Sequence, residues 1–337
     1  MKIKTLARHA SEDAPDSLAG SRGFPYWALT LVAALLVIAA GRPQQVCGQE
    51  TAKAEEEIPA PQESVLTTPQ DGVQLAVTYY PAIKPDKNVV PIVLLHQFKG
   101  SQRDYVDLAL LLQRAGHAVI LPDLRGHGRS TTSARLPHRL DADRFRPADF
   151  QRMVVDDMEA VNRFLWDRNN DGELNVNKLC IVGAEMGASV ALLYATRDWS
   201  IPPVGPLQLG QFVKGVVLIS PEWSFKGLTM QNAMRHPAIR SEVSMLIAVG
   251  GRQSTAAREA KRIHDMIKPH RPDPAPNRVA EEKDLFYAEL DTALQGTDIL
   301  GQNLKLEQFI AQFVNLRLVK APKAAAFGWA ERKRPHQ

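Results

Sequence analysis

Ala118-Val119-Ile120-Leu121-Pro122-Asp123-Leu124-Arg125-Gly126-His127-Gly128-Arg129-Ser130 runs from four apolar residues into a turn with two glycines, an aspartate and two arginines. The apolar run does not alternate, as expected for a strand covered on both faces. The glycines supply the backbone freedom of a tight reversal. Outward from it, residues 89–95, 179–182, 216–219, 245–249 and 285–290 repeat the short, mostly apolar pattern. Helix-period segments lie between them, at 105–115, at Phe150, Val154, Met158, Val161 and Leu165, and at 188–195, 256–267 and 304–313. Residues 64–66 and 73–79 flank Pro69-Gln70-Asp71-Gly72, which predicts an opening antiparallel hairpin. Strand alternating with helix after such a start predicts an α/β fold, with a doubly wound, mostly parallel sheet. Ligands in such sheets sit beyond the carboxyl ends of the strands.

Of 337 residues, 45% are apolar and 23% charged, an ordinary globular composition that excludes collagen, coiled coil and wholesale disorder. The net charge of +4 comes from the ends: residues 1–48 carry five basic and three acidic side chains, residues 319–337 five and one. The stretch between is slightly acidic, so no basic face for nucleic acid is expected. Lys2, Lys4, Arg8 and Arg22 precede an apolar run at 27–40, the layout of a secretory signal. Those fourteen residues reach ~21 Å as a helix, short of the ~30 Å membrane core. Residues 1–48 are therefore expected to be a signal peptide cut after Gly48, or a signal anchor attaching the chain to the membrane through 27–40. Either makes it an exported protein, periplasmic or extracellular. Residues 49–63 read as a polar Pro/Glu linker, 64–318 as the folded domain, and 319–337 as a basic, disordered tail. Cleavage would leave only Cys180, so no internal disulfide is expected.

Four loops resemble the α/β-hydrolase fold superfamily, in particular its serine aminopeptidase, monoglyceride lipase and dienelactone hydrolase-like members. Asp123-Leu124-Arg125-Gly126-His127-Gly128-Arg129-Ser130 matches the family's Asp-x-Arg-Gly-x-Gly-x-Ser turn. His96-Gln97-Phe98 follows a strand, as the family's oxyanion loop does, with Gln97 in place of the usual glycine. The resemblance makes the Phe98 N–H one oxyanion donor and the Met186 N–H the other. Gly183-Ala184-Glu185-Met186-Gly187 has the glycines of the nucleophile elbow, but Glu185 stands where the serine belongs. After the strand ending at Val249, where the family places its acid, the chain reads Gly250-Gly251-Arg252-Gln253-Ser254. After the strand ending at Leu290, Gln295 stands at the histidine position. All three triad positions are substituted.

Glu185 invites two readings. It is a carboxylate nucleophile, needing a histidine to activate water, or it fills the old site, its charge favoured by the helix N-terminus and paired with Arg252. Glu222 is a possible displaced acid, and His96 and His127 lie in site-facing loops. The expected function is thus a noncatalytic, exported pseudoenzyme that binds a small molecule or protein. The alternatives are an esterase, lipase or peptidase using Glu185 or a displaced triad, and a membrane-attached envelope scaffold. No cofactor or catalytic metal is called for. Asp167 to Asn175 mimics the start of a calcium loop, with Lys178 at the position that needs a bidentate glutamate, so calcium and a plain polar turn both remain open. Arg135, His138, Arg139, Arg144 and Arg146, between Ser130 and Asp149, form either a lid for an anionic ligand or a solvated basic loop.

Overall fold

The computed structural model describes residues 57–332 apart from Pro206. Residues 1–48, where a signal with its apolar segment 27–40 and a cut after Gly48 are expected, residues 49–56 of the expected linker, and residues 333–337 lie outside the described residues. Among the described residues no helix is long and apolar enough to cross a membrane.

The predicted hairpin is β1 (Gln62–Thr67) and β2 (Val73–Tyr80), paired antiparallel from Gln62 opposite Tyr79 to Thr67 opposite Gln74. The strands that follow are β3 (Pro91–Leu95), β4 (Ala118–Pro122), β5 (Thr132–Ser133), β6 (Leu179–Ala184), β7 (Val213–Ile219), the two-residue pair β8 (Ser224–Phe225) and β9 (Leu228–Thr229), β10 (Ser244–Gly250) and β11 (Leu285–Leu290). The sheet order is β1-β2-β4-β3-β6-β7-β10-β11, with β5 added beside β2. β2 meets β4 antiparallel, and every pairing from β4 to β11 is parallel. β3, β4, β6, β7 and β10 are buried along their whole length, which explains their unalternating apolar sequences. The main helices are α1 (Val106–Arg114), α2 (Met158–Asn170), α3 (Met186–Trp199), α4 (Ser254–Ile267) and α5 (Leu306–Val314).

The sequence pattern predicts one helix through Phe150 and Leu165, and the chain departs from it. An α-helical turn at Pro147–Arg152 passes through a π-helical turn, Met153–Asp157, before α2 begins. The widened turn places Asp156 and Asp157 inside, where they meet Arg125. Arg125 Nε donates to Asp157 Oδ1 at 2.8 Å, its main-chain N–H to Asp157 Oδ2 at 3.0 Å, and Nη1 to Asp71 Oδ2 at 2.7 Å. Asp71 belongs to the turn between β1 and β2 and also accepts from Thr68 and Arg152. Burial pushes its carboxyl up, but the Thr68 hydroxyl and the two guanidinium groups outweigh that and hold it at about 2.

Two boundaries need correction. β1 begins at Gln62, inside the stretch read as linker. The segment read as a disordered tail lies on the domain as far as Arg332, with Ala321 and Ala324 buried around a turn at Pro322–Ala326. The tail is held largely by polar contacts to its main chain, as with Asn175 Nδ2 donating to Phe327 O at 2.8 Å, so its low apolar content misled.

Replacing Arg125 by alanine strands the buried carboxylates of Asp71 and Asp157, and we expect a loss of about 3–5 kcal/mol in urea unfolding. Asp71 is held below its free value of 3.8. Its stabilisation is therefore complete above pH ~4 and fades as pH falls towards ~2. Thermal melts of Asp71→Asn should show a lower melting temperature at neutral pH and a shallower decline over that acid window.

Candidate functional site

The carboxyl ends of β3, β6, β7, β10 and β11 open on one edge of the sheet, and Glu185, Arg252 and Gln295 follow β6, β10 and β11 there. β6 runs into Glu185, which takes φ 47° and ψ −108° before α3 starts at Met186. A non-glycine residue in this region is strained by ~1–3 kcal/mol and persists only where its surroundings enforce it. Here the enforcement is close packing. A Cβ on Gly183 would collide with the Gly187 carbonyl, and one on Gly187 with the Leu95 carbonyl, so the glycines let α3 press against β6 and β3. Glu185 N–H donates to Ile219 O at 2.9 Å, tying the elbow to the end of β7. Met186 opens α3, so its N–H has no acceptor within the helix.

The Gln295 position is built as a tie. Its Nε2 donates to Gly250 O at 2.9 Å, and its Oε1 accepts from Ser220 Oγ at 2.7 Å. Both ends of the amide are thus occupied, and an amide cannot take up a proton at neutral pH. Ser220 Oγ accepts the Gly296 N–H at 2.9 Å, and Gln97 Oε1 accepts the Thr297 N–H at 2.7 Å. Gln97, at the family's glycine position, therefore links the oxyanion loop to the loop after β11. Gly296 lies where a Cβ would come within 3.1 Å of Glu185 Cδ and strike Gln97 Oε1, so a larger residue would displace those side chains.

Arg252 does not reach Glu185. Its guanidinium forms two hydrogen bonds to exposed Asp291, at 2.8 and 3.0 Å, which corrects the expected pairing. The Glu185 carboxyl has no hydrogen-bond or ion-pair partner among the described residues; burial pushes it up, and the charge of Asp298 adds to that. Glu222 is likewise unpaired among the described residues. Burial, then the charges of Glu185 and Glu259, push it up to about 7. The site is consequently acidic, with two half-buried carboxyls that repel each other.

No described histidine bonds to either carboxyl. His96 Nδ1 donates to Gln97 O at 2.7 Å and its Nε2 accepts the Leu124 N–H at 3.0 Å, so both ring nitrogens serve the loop. Burial, reinforced by His127, pushes His96 down to about 4 and keeps it neutral. His127 Nδ1 meets Arg125 O at 3.0 Å. Ser200 Oγ contacts His236 Nε2 at 3.3 Å, but Ser200 follows the last turn of α3, ~20 Å along that helix from Glu185. Ser189 is buried and its hydroxyl has no partner among the described residues.

The Phe98 ring packs against Phe225 at 5.4 Å, His127 at 5.6 Å and Phe150 at 6.1 Å between centroids, with the Lys226 ammonium 3.8 Å above it. The β8–β9 hairpin thus caps the oxyanion loop. On the other side, Gln97, Phe98, Asp104, Leu294, Thr297 and Asp298 line an open cavity of about 710 Å³. Glu185 is outside that lining and adjoins it through Gly296. The basic side chains of 130–149 do not converge on the cavity: Arg135 donates to Gln70 O, Arg139 to Thr131 Oγ1, and Arg144 pairs with exposed Asp141. Nor does the Asp167–Lys178 loop suit calcium, since Asn169 and Asn175 use their side-chain oxygens on the loop's own N–H groups and Lys178 is buried. Among the described residues no cluster of His, Cys, Asp or Glu could hold a metal.

Sequence reasoning missed Ser220, Asp298 and the bridging role of Gln97. Ser220 stands at φ 47° after β7, a conformation that the residue type does not announce. Gln97 did carry a signal, as a departure from glycine, although not one that named its partner.

Residues 90–243 match the alpha/beta hydrolase fold family. Among solved structures, the chain is similar to the Pyrococcus furiosus esterase Pf2001, at 14% identity and TM-score 0.52, covering 77% of this chain and 91% of that one. It is also similar to TT1662 from Thermus thermophilus, at 15% identity and TM-score 0.50, covering 77% and 99%. A third is DcsB, solved with its substrate analogue, at 12% identity and TM-score 0.50, covering 77% and 100%. No curated protein sequence matches the chain.

Because Glu222 is raised from 4.5 to about 7, the folded state keeps a proton that the unfolded chain releases. Its contribution to stability is full below pH ~4.5 and is lost as pH rises through 7. Thermal melts of Glu222→Gln should lack that decline. Glu185→Gln should move the Glu222 titration, followed by carboxyl NMR, to lower pH.

Proposed function

The chain belongs to the α/β-hydrolase fold, and from that premise we propose that it binds a ligand at the hydrolase cleft without turning it over as a serine hydrolase does. The observation that carries this reading is Gln295, whose amide is held at both ends by Gly250 and Ser220 where the fold's mechanism needs a histidine. Beside it, Glu185 occupies the nucleophile position with no base in contact. Carboxylate-nucleophile chemistry needs a water activated by a neighbouring base to release the ester, and a trapped ester stops after one turnover.

The ligand class follows from the charges. Asp104 and Asp298 line the cavity with Glu185 and Glu222 beyond its lining, while Lys99, which also lines it, pairs with Asp143; this balance favours a small molecule or peptide group bearing N–H or O–H donors or a positive charge, over the anionic ligand that the basic 130–149 segment suggested. The chain acts outside the cytoplasm in this proposal, exported through its N-terminal 48 residues. Membrane attachment through 27–40 is the variant in which that segment is retained.

One observation favours a second reading, an active esterase- or peptidase-like hydrolase. Glu222, at about 7, lies in the range where a carboxyl can exchange protons at neutral pH, and Glu185 is its charged neighbour.

The deciding measurement is turnover of short- and long-chain p-nitrophenyl esters by the wild-type chain, Glu185→Gln and Glu185→Ser. We expect no turnover by wild type or Glu185→Gln. Turnover abolished by Glu185→Gln would make Glu185 a catalyst and overturn the binding reading. Cell fractionation separates the two export variants: a soluble exported product lacking residues 1–48 supports the cleaved signal, whereas membrane recovery of the full chain supports the anchor.

A further inference from the structure

The Asp167–Lys178 loop has the side-chain pattern of a calcium site, and the cleft makes no use of it. Two of its amide oxygens face inward: Asn169 Oδ1 accepts the Val176 N–H at 3.1 Å, and Asn175 Oδ1 accepts the Asn177 N–H at 3.0 Å. What remains is a row of amide NH2 groups, each of which donates to a main-chain carbonyl of the C-terminal segment. Asn175 donates to Phe327 O at 2.8 Å, Asn177 to Gly328 O at 2.5 Å, Asn169 to Ala330 O at 3.0 Å and Asn170 to Arg332 O at 2.9 Å. Asn170 Oδ1 also accepts the Arg332 N–H at 2.8 Å, so one amide pairs both main-chain groups of one residue, as a neighbouring strand does. Asn169, Asn175 and Asn177 are buried, and a buried amide left without its acceptor is costly.

Two side chains of the segment add recognition to this main-chain reading. The Trp329 indole donates to Asn169 O at 3.1 Å under the Lys87 ammonium, which lies 3.9 Å from the ring centre. Arg332 is 7% exposed, hydrogen-bonds Asn177 Oδ1, and lies 4.8 Å from the Phe212 ring centre. Gly328 contributes only its carbonyl, since a Cβ there would meet nothing within 4 Å.

We propose that residues 169–177 form a peptide-binding site that reads the main chain of an extended segment bearing a tryptophan and, three residues later, an arginine, and that its occupant is this chain's own residues 327–332. The site precedes β6, at the opposite end of that strand from Glu185, so it stands apart from the cleft. The loop's run of Asn is thereby a donor array for a peptide rather than an acceptor array for a cation.

The test compares the full chain with its Asn175→Ala/Asn177→Ala variant, using trypsin cleavage after Arg332 followed by mass spectrometry, with circular dichroism to show that both are folded. We expect cleavage to be about tenfold faster or more in the variant, from the loss of two buried hydrogen bonds. Equal rates in the two proteins would overturn the proposal. So would protection from cleavage that depends on added calcium, since the loop would then serve the cation. A second measurement uses the chain ended at Ala326 and a fluorescent peptide of residues 325–337. Binding should weaken at least about tenfold when the peptide carries Trp329→Ala or Arg332→Ala. A folded, shortened chain that ignores the peptide would refute the site, and if that chain does not fold the cleavage comparison decides.

Discussion

A guanidinium group that is 3% exposed must be neutralised by whatever surrounds it, because an unpaired charge in that position costs several kcal/mol. Arg125 meets that demand from two directions. Asp71 reaches it from the turn between β1 and β2, and Asp157 from a helix that widens into a π turn to present it. The antiparallel hairpin, the glycine turn after β4 and the helix before β6 are thereby fixed relative to one another. The turn also holds His96, whose Nε2 accepts the Leu124 N–H, so the oxyanion loop takes its position from the same buried charge cluster. Such a cluster stabilises less than it constrains, since much of its attraction offsets desolvation.

On that frame the fold holds Glu185 in a sharp strand-to-helix elbow. Glu185 stays at a strained positive φ because Gly183 and Gly187 let α3 approach β6 and β3 to within main-chain contact. The loops beyond β7, β10 and β11 are joined by the Gln295 amide, and the oxyanion loop is joined to them by Gln97. These contacts tie together the loops along the carboxyl edge of the sheet. At that edge stand the carboxyls of Glu185 and Glu222, unpaired among the described residues; burial, and then the charges of Glu185 and Glu259, push Glu222 up to about 7.

How much of this could be read beforehand differs from feature to feature. The buried parallel strands were legible because covering both faces forces an unbroken apolar run. The hairpin was legible because Asp-Gly between β-rich segments has few other uses. The π turn was not, since the apolar spacing through Phe150, Val154 and Met158 fits an ordinary helix, and only the demand of Arg125 draws Asp157 inward. The tail from residue 319 was misread for a related reason: main-chain carbonyls hold it, and these are invisible in composition. Arg252 was placed on Glu185 by proximity in the motif, whereas the structure turns it outward to Asp291.

The sequence by itself determined the strand and helix rhythm and the glycines that flank Glu185, because these depend on residue type and local spacing. The tertiary structure alone decided what the replacements do. Ser220 and Gln295 are 75 residues apart, and Gln97 and Thr297 are 200 apart. A hydrogen bond across such a separation exists only once the sheet has brought the two loops to one edge, so no reading of either stretch alone could supply it.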